Sequence, residues 1–188
     1  VNSIYQDKAG FMWFGTFDGL NRYDGHTITT YKPDLTAPTS ISSILIFAIT
    51  GDETGNLWVG TTGEGLNHYN TATDKFTCLR ADSADPGSLN SNNIQSVFVD
   101  SQQRLWVGSD RGVSLMDLSG WNPGQPASFR HFLTSVHGSH ARVADIYEDR
   151  DGQLFFGTNH GLYMLPADLT GQPVSINDEA GNTLRTSI

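Results

Sequence analysis

The stretch that decides the fold is DKAGFMWFGTFDGL, residues 7–20, because its arrangement of residues returns three more times along the chain. In each copy an Asp precedes a large aromatic residue by six positions, and a Gly follows two positions later. The aromatic residues of successive copies are 45, 48 and 49 positions apart, and a period of this length indicates a repeat architecture. The Asp and aromatic residues are Asp7 and Trp13, Asp52 and Trp58, Asp100 and Trp106, and Asp149 and Phe155.

Each copy reads as four short strands separated by turns. In the third copy the strands are expected at 93–99, 104–108, 113–116 and 128–133. Short strands at regular spacing predict an all-β protein, and four strands in this length form one blade of a β-propeller. We therefore expect four four-stranded antiparallel blades over residues 1–31, 43–80, 92–133 and 141–177, with a polar tail over 178–188.

The recurrent residues are predicted to be structural. An Asp side chain at the start of a hairpin turn can accept hydrogen bonds from the backbone N–H groups that follow, and a Gly can take the positive φ of the turn. Gly10, Gly55 and Gly152 stand at that position, whereas the third copy has Gln103. The large aromatic residues are expected to fill the space between neighbouring blades, where a ring buries much surface.

Function is expected where the copies differ, and the turn between the second and third strands differs most. These turns should lie on one face of the propeller, together with the connections between blades at 32–42, 81–92 and 134–141. Their side chains would suit a polar, hydroxyl-rich ligand that needs hydrogen bonds and a stacking ring. The candidate ligand-binding residues are Phe17, Asp18, Glu64, Asp110, Arg111, Asn159 and His160.

Composition and motifs argue against several other functions. The net charge of −9 disfavours a nucleic-acid partner, which requires clustered Lys and Arg. The chain has no run of 18 apolar residues that would cross a membrane as a helix. His137 and His140 lack a Cys or carboxylate at supporting spacing, and the single Cys78 sits in a strand pattern. No catalytic residue, metal site or cofactor is predicted.

Two stretches carry a resemblance to a known family. DKAGFMWFGTFDGLNRYDG (7–25) and DETGNLWVGTTGEGLNHYN (52–70) resemble the repeat of two-component regulator propellers, the extracytoplasmic sensor parts of bacterial hybrid sensor histidine kinases and some diguanylate cyclases. The resemblance runs from residue 1 to about residue 165 and is weakest in the fourth copy, where Phe155 replaces Trp.

The resemblance implies more than the residues show by themselves. Members of the family usually form seven-bladed propellers followed by a membrane span and an output domain. It implies that this chain is a non-enzymatic segment of a longer periplasmic receptor, attached to the membrane through a C-terminal part outside this sequence. It further implies an oligosaccharide or other small polar ligand and a homodimeric receptor.

Two other classes of propeller stay open. The streptogramin lyases have a similar Gly-x-x-Trp spacing. Their aromatic residue is usually followed by Phe-Thr-Glu, whereas Trp58 is followed by Val-Gly-Thr at 59–61. Protein-interaction propellers of the eukaryotic type end their blades in Trp-Asp, which is absent here.

Overall fold

The computed structural model describes residues 1–165 and 173–176. The predicted polar tail and residues 166–172 and 177 of the fourth predicted blade lie outside the described residues. Within the described part, every regular element is a β-strand, and the strands form four antiparallel four-stranded sheets. The all-β fold of four-stranded antiparallel blades is thus confirmed.

Each sheet is built from strands in chain order, and tight hairpins join its first three strands. We number the sheets as blades 1 to 4. Blade 1 contains β1 (Ser3–Gln6), β2 (Met12–Thr16), β3 (Gly19–Tyr23) and β4 (Ile28–Tyr31); blade 2 contains β5 (Ile46–Gly51), β6 (Leu57–Thr61), β7 (Leu66–Asn70) and β8 (Lys75–Leu79); blade 3 contains β9 (Ile94–Val99), β10 (Arg104–Ser109), β11 (Gly112–Asp117) and β12 (Arg130–Phe132); blade 4 contains β13 (Val143–Glu148), β14 (Leu154–Thr158), β15 (Gly161–Leu165) and β16 (Val174–Ser175).

The blades pack face to face in sequence order. The first strands of successive blades lie against one another, β1 against β5, β5 against β9 and β9 against β13. Among the described strands, β13 and β1 do not form a corresponding layer. The four blades therefore form a stack in chain order.

Each tryptophan of the repeat packs against the blade that follows its own. The ring of Trp13 lies 5.3 Å from that of Tyr69 in blade 2, and Trp106 lies 5.6 Å from Phe156 in blade 4. Trp58 reaches Trp121 of blade 3 at 5.3 Å. These tryptophans are fully buried, and each belongs to an apolar cluster that joins two blades.

The middle blades are covered on both faces, whereas the first and the last are covered on one. Every residue of β6 is buried, and β10 is buried from its second residue onward. In β2, Trp13 is buried but its neighbours Met12 and Phe14 are half-buried. In β14 the pattern is reversed, because Phe156 is buried against blade 3 and Phe155 is half-buried. Each end of the stack thus presents a sheet face that the described residues do not fully cover.

Candidate functional site

The repeated Asp organises the first hairpin turn of each blade. Oδ1 of Asp7 accepts hydrogen bonds from the backbone N–H groups of Ala9 and Phe11, both at 3.0 Å. The other three copies repeat this pair of bonds. Gly10 takes a φ of 92° in this turn, and Gln103 takes the equivalent place in blade 3 with a φ of 57°.

The second carboxylate oxygen of the same Asp binds the tryptophan of the repeat. The indole Nε1 donates to Oδ2 at 2.7 Å from Trp13 to Asp7, at 3.2 Å from Trp58 to Asp52 and at 2.8 Å from Trp106 to Asp100. Sequence reasoning missed this bond, although the constant six-residue spacing was a signal for it. The side chain of Phe155 has no N–H group, so among the described residues Asp149 accepts only the two backbone bonds.

The candidate binding residues lie in the second hairpin turns, and each turn contacts an inter-blade connection. We call these turns and connections together the rim. Two of its acidic residues form exposed ion pairs, at 2.6 Å between Asp18 and Lys32 and at 2.8 Å between Glu64 and Arg80. The cations come from the end of the same blade, so each pair links the turn to the connection that follows it.

In blade 3 the rim is held by hydrogen bonds. Asp110 accepts from Ser91 at 2.5 Å and from the side-chain amide of Asn93 at 3.0 Å. Arg111 is exposed, and its backbone carbonyl accepts a 3.1 Å bond from Asn90. The Arg111 side chain is therefore free of any role in this contact.

The rim of blade 4 is held in the same manner. Nε2 of His160 lies 2.9 Å from the hydroxyl of Ser139, and Asn159 accepts a 2.7 Å bond from the backbone N–H of Arg142. In blade 1, the ring of Phe17 is 60% exposed and meets Phe47 of β5 edge to face at 5.6 Å.

The structure thus places every candidate residue on the rim but does not gather them into one pocket. Except at Arg111, their side chains bind residues of the adjoining connections, and Phe17 contacts the first strand of the next blade. Within the described residues, no group of three or more His, Cys, Asp or Glu side chains is arranged to hold a metal ion.

A cleft of about 390 Å³ lies on the opposite face, at the junction of blades 2 and 3. We call it the Trp121 cleft. It opens beside the first hairpin turn of blade 2 and under the connection between β11 and β12. None of the predicted binding residues lines it. Its principal side chains are Trp58, His68, Trp121, Asn56, Asn70 and Asn122.

Three aromatic rings form one side of this cleft. The ring of His68 lies 4.7 Å from Trp58 and 5.3 Å from Trp121, and the two indoles are 5.3 Å apart. Burial lowers the pKa of His68 below its ordinary value of 6.5, which favours the neutral imidazole, while the charge of Asp52 opposes this shift. Among the described residues, Nδ1 of His68 and Nε1 of Trp121 are buried without a hydrogen-bond partner.

The cleft exists because blade 3 has a longer connection between its last two strands than blades 1 and 2. Residues 118–129 join β11 to β12, whereas residues 24–27 and 71–74 suffice in blades 1 and 2. The longer connection carries Trp121 across the junction onto Trp58. This connection has no repeated pattern, so Trp121 could not be selected from the repeats.

A signal for His68 was nevertheless present in the sequence. The residue opposite the repeated aromatic on the next strand differs in every copy, being Arg22, His68, Leu115 or Met164. An alignment of the four copies by strand register identifies this position as variable inside an otherwise constant core.

These features define the class of protein: an array of β-propeller blades in which an Asp caps a turn and, in three blades, binds the indole of its own blade. Residues 1–18, 40–63, 88–111 and 137–160 match the family described as two component regulator propeller, one match in each blade. The chain belongs to this family and is built from its repeats.

Individual proteins support the same relationship. Histidine kinase P4 of Formosa agariphila is 36% identical in an alignment of 112 residues that covers 57% of this chain and 8% of that protein. The extracellular domain of a hybrid two component system from B. thetaiotaomicron is 28% identical with a TM-score of 0.79, over 97% of this chain and 25% of that one. The chain therefore spans a small part of the length of the relatives it matches.

A more distant likeness shows the fold alone. Virginiamycin B lyase of Staphylococcus aureus is 14% identical with a TM-score of 0.65, over 94% of this chain and 55% of that one.

In the described part of the chain, none of the elements is a helix with the length and hydropathy needed to cross a membrane.

Proposed function

We propose that this chain is a ligand-sensing segment of an extracytoplasmic propeller in a bacterial signal-transduction receptor. The observation that carries the proposal is the match of all four blades to the two component regulator propeller family. Similarity to a histidine kinase and to the extracellular domain of a hybrid two component system supports the same role. The segment is a binding module, and any kinase or cyclase chemistry belongs to another part of the receptor.

Further blades are proposed to flank the segment in a seven-bladed ring. Support comes from the half-buried Met12 and Phe14 at one end of the stack and Phe155 at the other. An apolar sheet face of this kind is stabilised when a neighbouring repeat covers it.

The ligand is proposed to be a glycan or another small polar molecule. Hydroxyl, amide and aromatic groups, which suit such ligands, are present both on the rim and in the Trp121 cleft. Binding is proposed to shift the packing of the propeller against its neighbour or its dimer mate in the periplasm, and only a ligand that favours one arrangement can do so.

Two measurements test this function. A receptor that contains this chain is expected to change its phosphorylation or cyclase output when oligosaccharides are added. A ligand at a hundred times its dissociation constant should raise the free energy of unfolding by about 2.7 kcal/mol. Repeated turnover of a substrate by the 188-residue chain, or an output that no extracellular ligand alters, would contradict the proposal.

A further inference from the structure

The Trp121 cleft differs from the corresponding places at the other two junctions. Between blades 1 and 2, the guanidinium group of Arg22 lies 5.8 Å from the ring of Trp13. Between blades 3 and 4, Arg104 lies 5.8 Å from the ring of Trp106 and pairs with Asp100 at 2.6 Å. In both cases the chain covers its own tryptophan with an arginine. A cleft of about 270 Å³ also lies beside Trp13, but Arg22 and Lys8 line it. At Trp58 the indole of Trp121 stands in place of the arginine.

The chemistry of the lining disfavours an anionic ligand. Among the described residues, no Lys or Arg lines the cleft, so it offers no counter-charge for an anion. Amide groups of Asn56, Asn70, Asn122 and Gln103 surround the rings. Two carboxylates also line the cleft. Asp52 caps its turn and accepts from the Trp58 indole at 3.2 Å, whereas Glu53 is exposed and can accept a hydrogen bond from a hydroxyl group. Aromatic rings beside several amides form a surface suited to a ring with an apolar face and hydroxyl edges.

Two buried polar atoms of the cleft give an independent indication. His68 is 2% exposed, yet its Nδ1 has no hydrogen-bond partner among the described residues, and the same holds for Nε1 of Trp121. Buried polar groups are nearly always paired in native proteins, so such atoms call for an explanation. A hydroxyl group can both donate and accept, and could therefore pair with either atom.

We propose that the Trp121 cleft is a binding site for a neutral sugar ring, which stacks on Trp121 while its hydroxyl groups bond to Trp121 and His68. Both nitrogen atoms are buried, so the proposal requires the Trp121 side chain to shift before the hydroxyl groups can reach them. The volume of about 390 Å³ lies within the range of small-molecule pockets, about 300–1,000 Å³. This inference rests on the proposed function, since it assigns the receptor's ligand to this cleft rather than to the rim.

Indole N–H signals in an NMR spectrum of the 188-residue chain give a direct test, since the chain has four tryptophans. The probes are maltose, cellobiose and lactose, with choline as a cationic and glucuronate as an anionic comparison. At least one disaccharide is expected to shift the signals of Trp58 and Trp121 and to leave those of Trp13 and Trp106 in place. Binding of choline or glucuronate alone, or of no probe, would overturn the proposal.

Matched substitutions separate the cleft from the rim. Trp121→Ala is expected to weaken disaccharide binding by at least about tenfold, because a central stacking ring is lost. Trp121→Phe keeps a ring but lacks the N–H group, so its affinity should fall between those of Trp121→Ala and the unmodified chain. Phe17→Ala removes an exposed ring from the rim and should leave the affinity unchanged. A thermal melt of each variant establishes that it is folded.

The outcomes distinguish this inference from the proposed function. If a disaccharide binds and Phe17→Ala weakens it while Trp121→Ala does not, the ligand site is on the rim and the inference is wrong, although the chain is still a sensor. If the chain binds a disaccharide through Trp121 but the receptor responds to no ligand, the sugar site in the cleft is confirmed and the sensing function is wrong.

Discussion

The indole Nε1 of Trp106 donates a 2.8 Å hydrogen bond to Oδ2 of Asp100, six residues earlier in the chain. The same carboxylate accepts hydrogen bonds from two backbone N–H groups and from Nε of Arg104. Asp100 is only 2% exposed. One buried Asp thereby fixes a turn, an indole and a guanidinium group. The ring of Trp106 then packs on the next blade, so the carboxylate also sets the geometry of that junction.

Replacement of Asp100 should be more damaging than replacement of Asp149. Asp100→Ala leaves several buried donors without a partner and should lower the free energy of unfolding by about 3 kcal/mol. Asp149 makes the same two backbone bonds without an indole bond, so Asp149→Ala should cost about 1 kcal/mol. Urea unfolding of both variants measures the difference, and equal losses would show that the indole and guanidinium bonds of Asp100 contribute nothing.

The glycine after each repeated aromatic gives a second matched pair. A Cβ atom at Gly60 would lie 2.5 Å from Cγ2 of Ile94 in the next blade, whereas at Gly157 the nearest described atoms are 3.9 Å away. Gly60→Ala should therefore cost about 1–3 kcal/mol by overpacking, and Gly157→Ala less than about 0.5 kcal/mol. Thermal melts of the 188-residue chain test this pair. A similar loss at both positions would mean that the close approach of Ile94 is not the cause.

The ion pairs of the rim should contribute little to stability. Lys32 and Asp18 are largely exposed, and exposed pairs are typically worth about 0–1 kcal/mol. Lys32→Ala should thus shift the melting temperature only slightly. Arg111→Ala should behave similarly because the backbone carbonyl, which the variant retains, makes the contact with Asn90. Chemical denaturation is the measurement, and a loss above about 2 kcal/mol in either variant would be inconsistent with a solvated rim.

Acid should destabilise the chain in part through His68. Burial lowers the pKa of this side chain from 6.5, so the unfolded chain binds a proton more readily than the folded one. The stabilisation is complete above the unfolded pKa and is lost as the pH falls from about 6.5 toward the folded pKa. Unfolding free energies at about pH 7.5 and about pH 5.5 should differ less in His68→Gln than in the unmodified chain. An unchanged difference would exclude His68 as a cause.

The fold could be predicted because its determinants are local and repeated. Asp7, Gly10 and Trp13 recur with constant spacing, so one turn and one buried ring define a blade that occurs four times. The family matches confirm this reading of the repeats. The placement of the candidate residues on the rim also follows from strand direction, since alternate turns of an antiparallel sheet lie at the same edge.

The Trp121 cleft could not be predicted because it depends on contacts between distant segments. Trp121 lies in an irregular connection, and its contact with Trp58 spans two blades. The burial of His68 depends on that same contact, so its altered pKa has no signature in the local sequence. Nor could the ion pairs of the rim be foreseen, because they join a turn to a residue 14 or 16 positions later.

The tryptophan that an Asp holds within one blade finishes its packing only against the blade that follows. During synthesis on the ribosome, a blade therefore leaves the exit tunnel with its largest side chain still in water, and it becomes stable after roughly another fifty residues have been translated. We expect the nascent chain to fold in steps that lag one repeat behind elongation, because each blade becomes stable when the following blade packs against it.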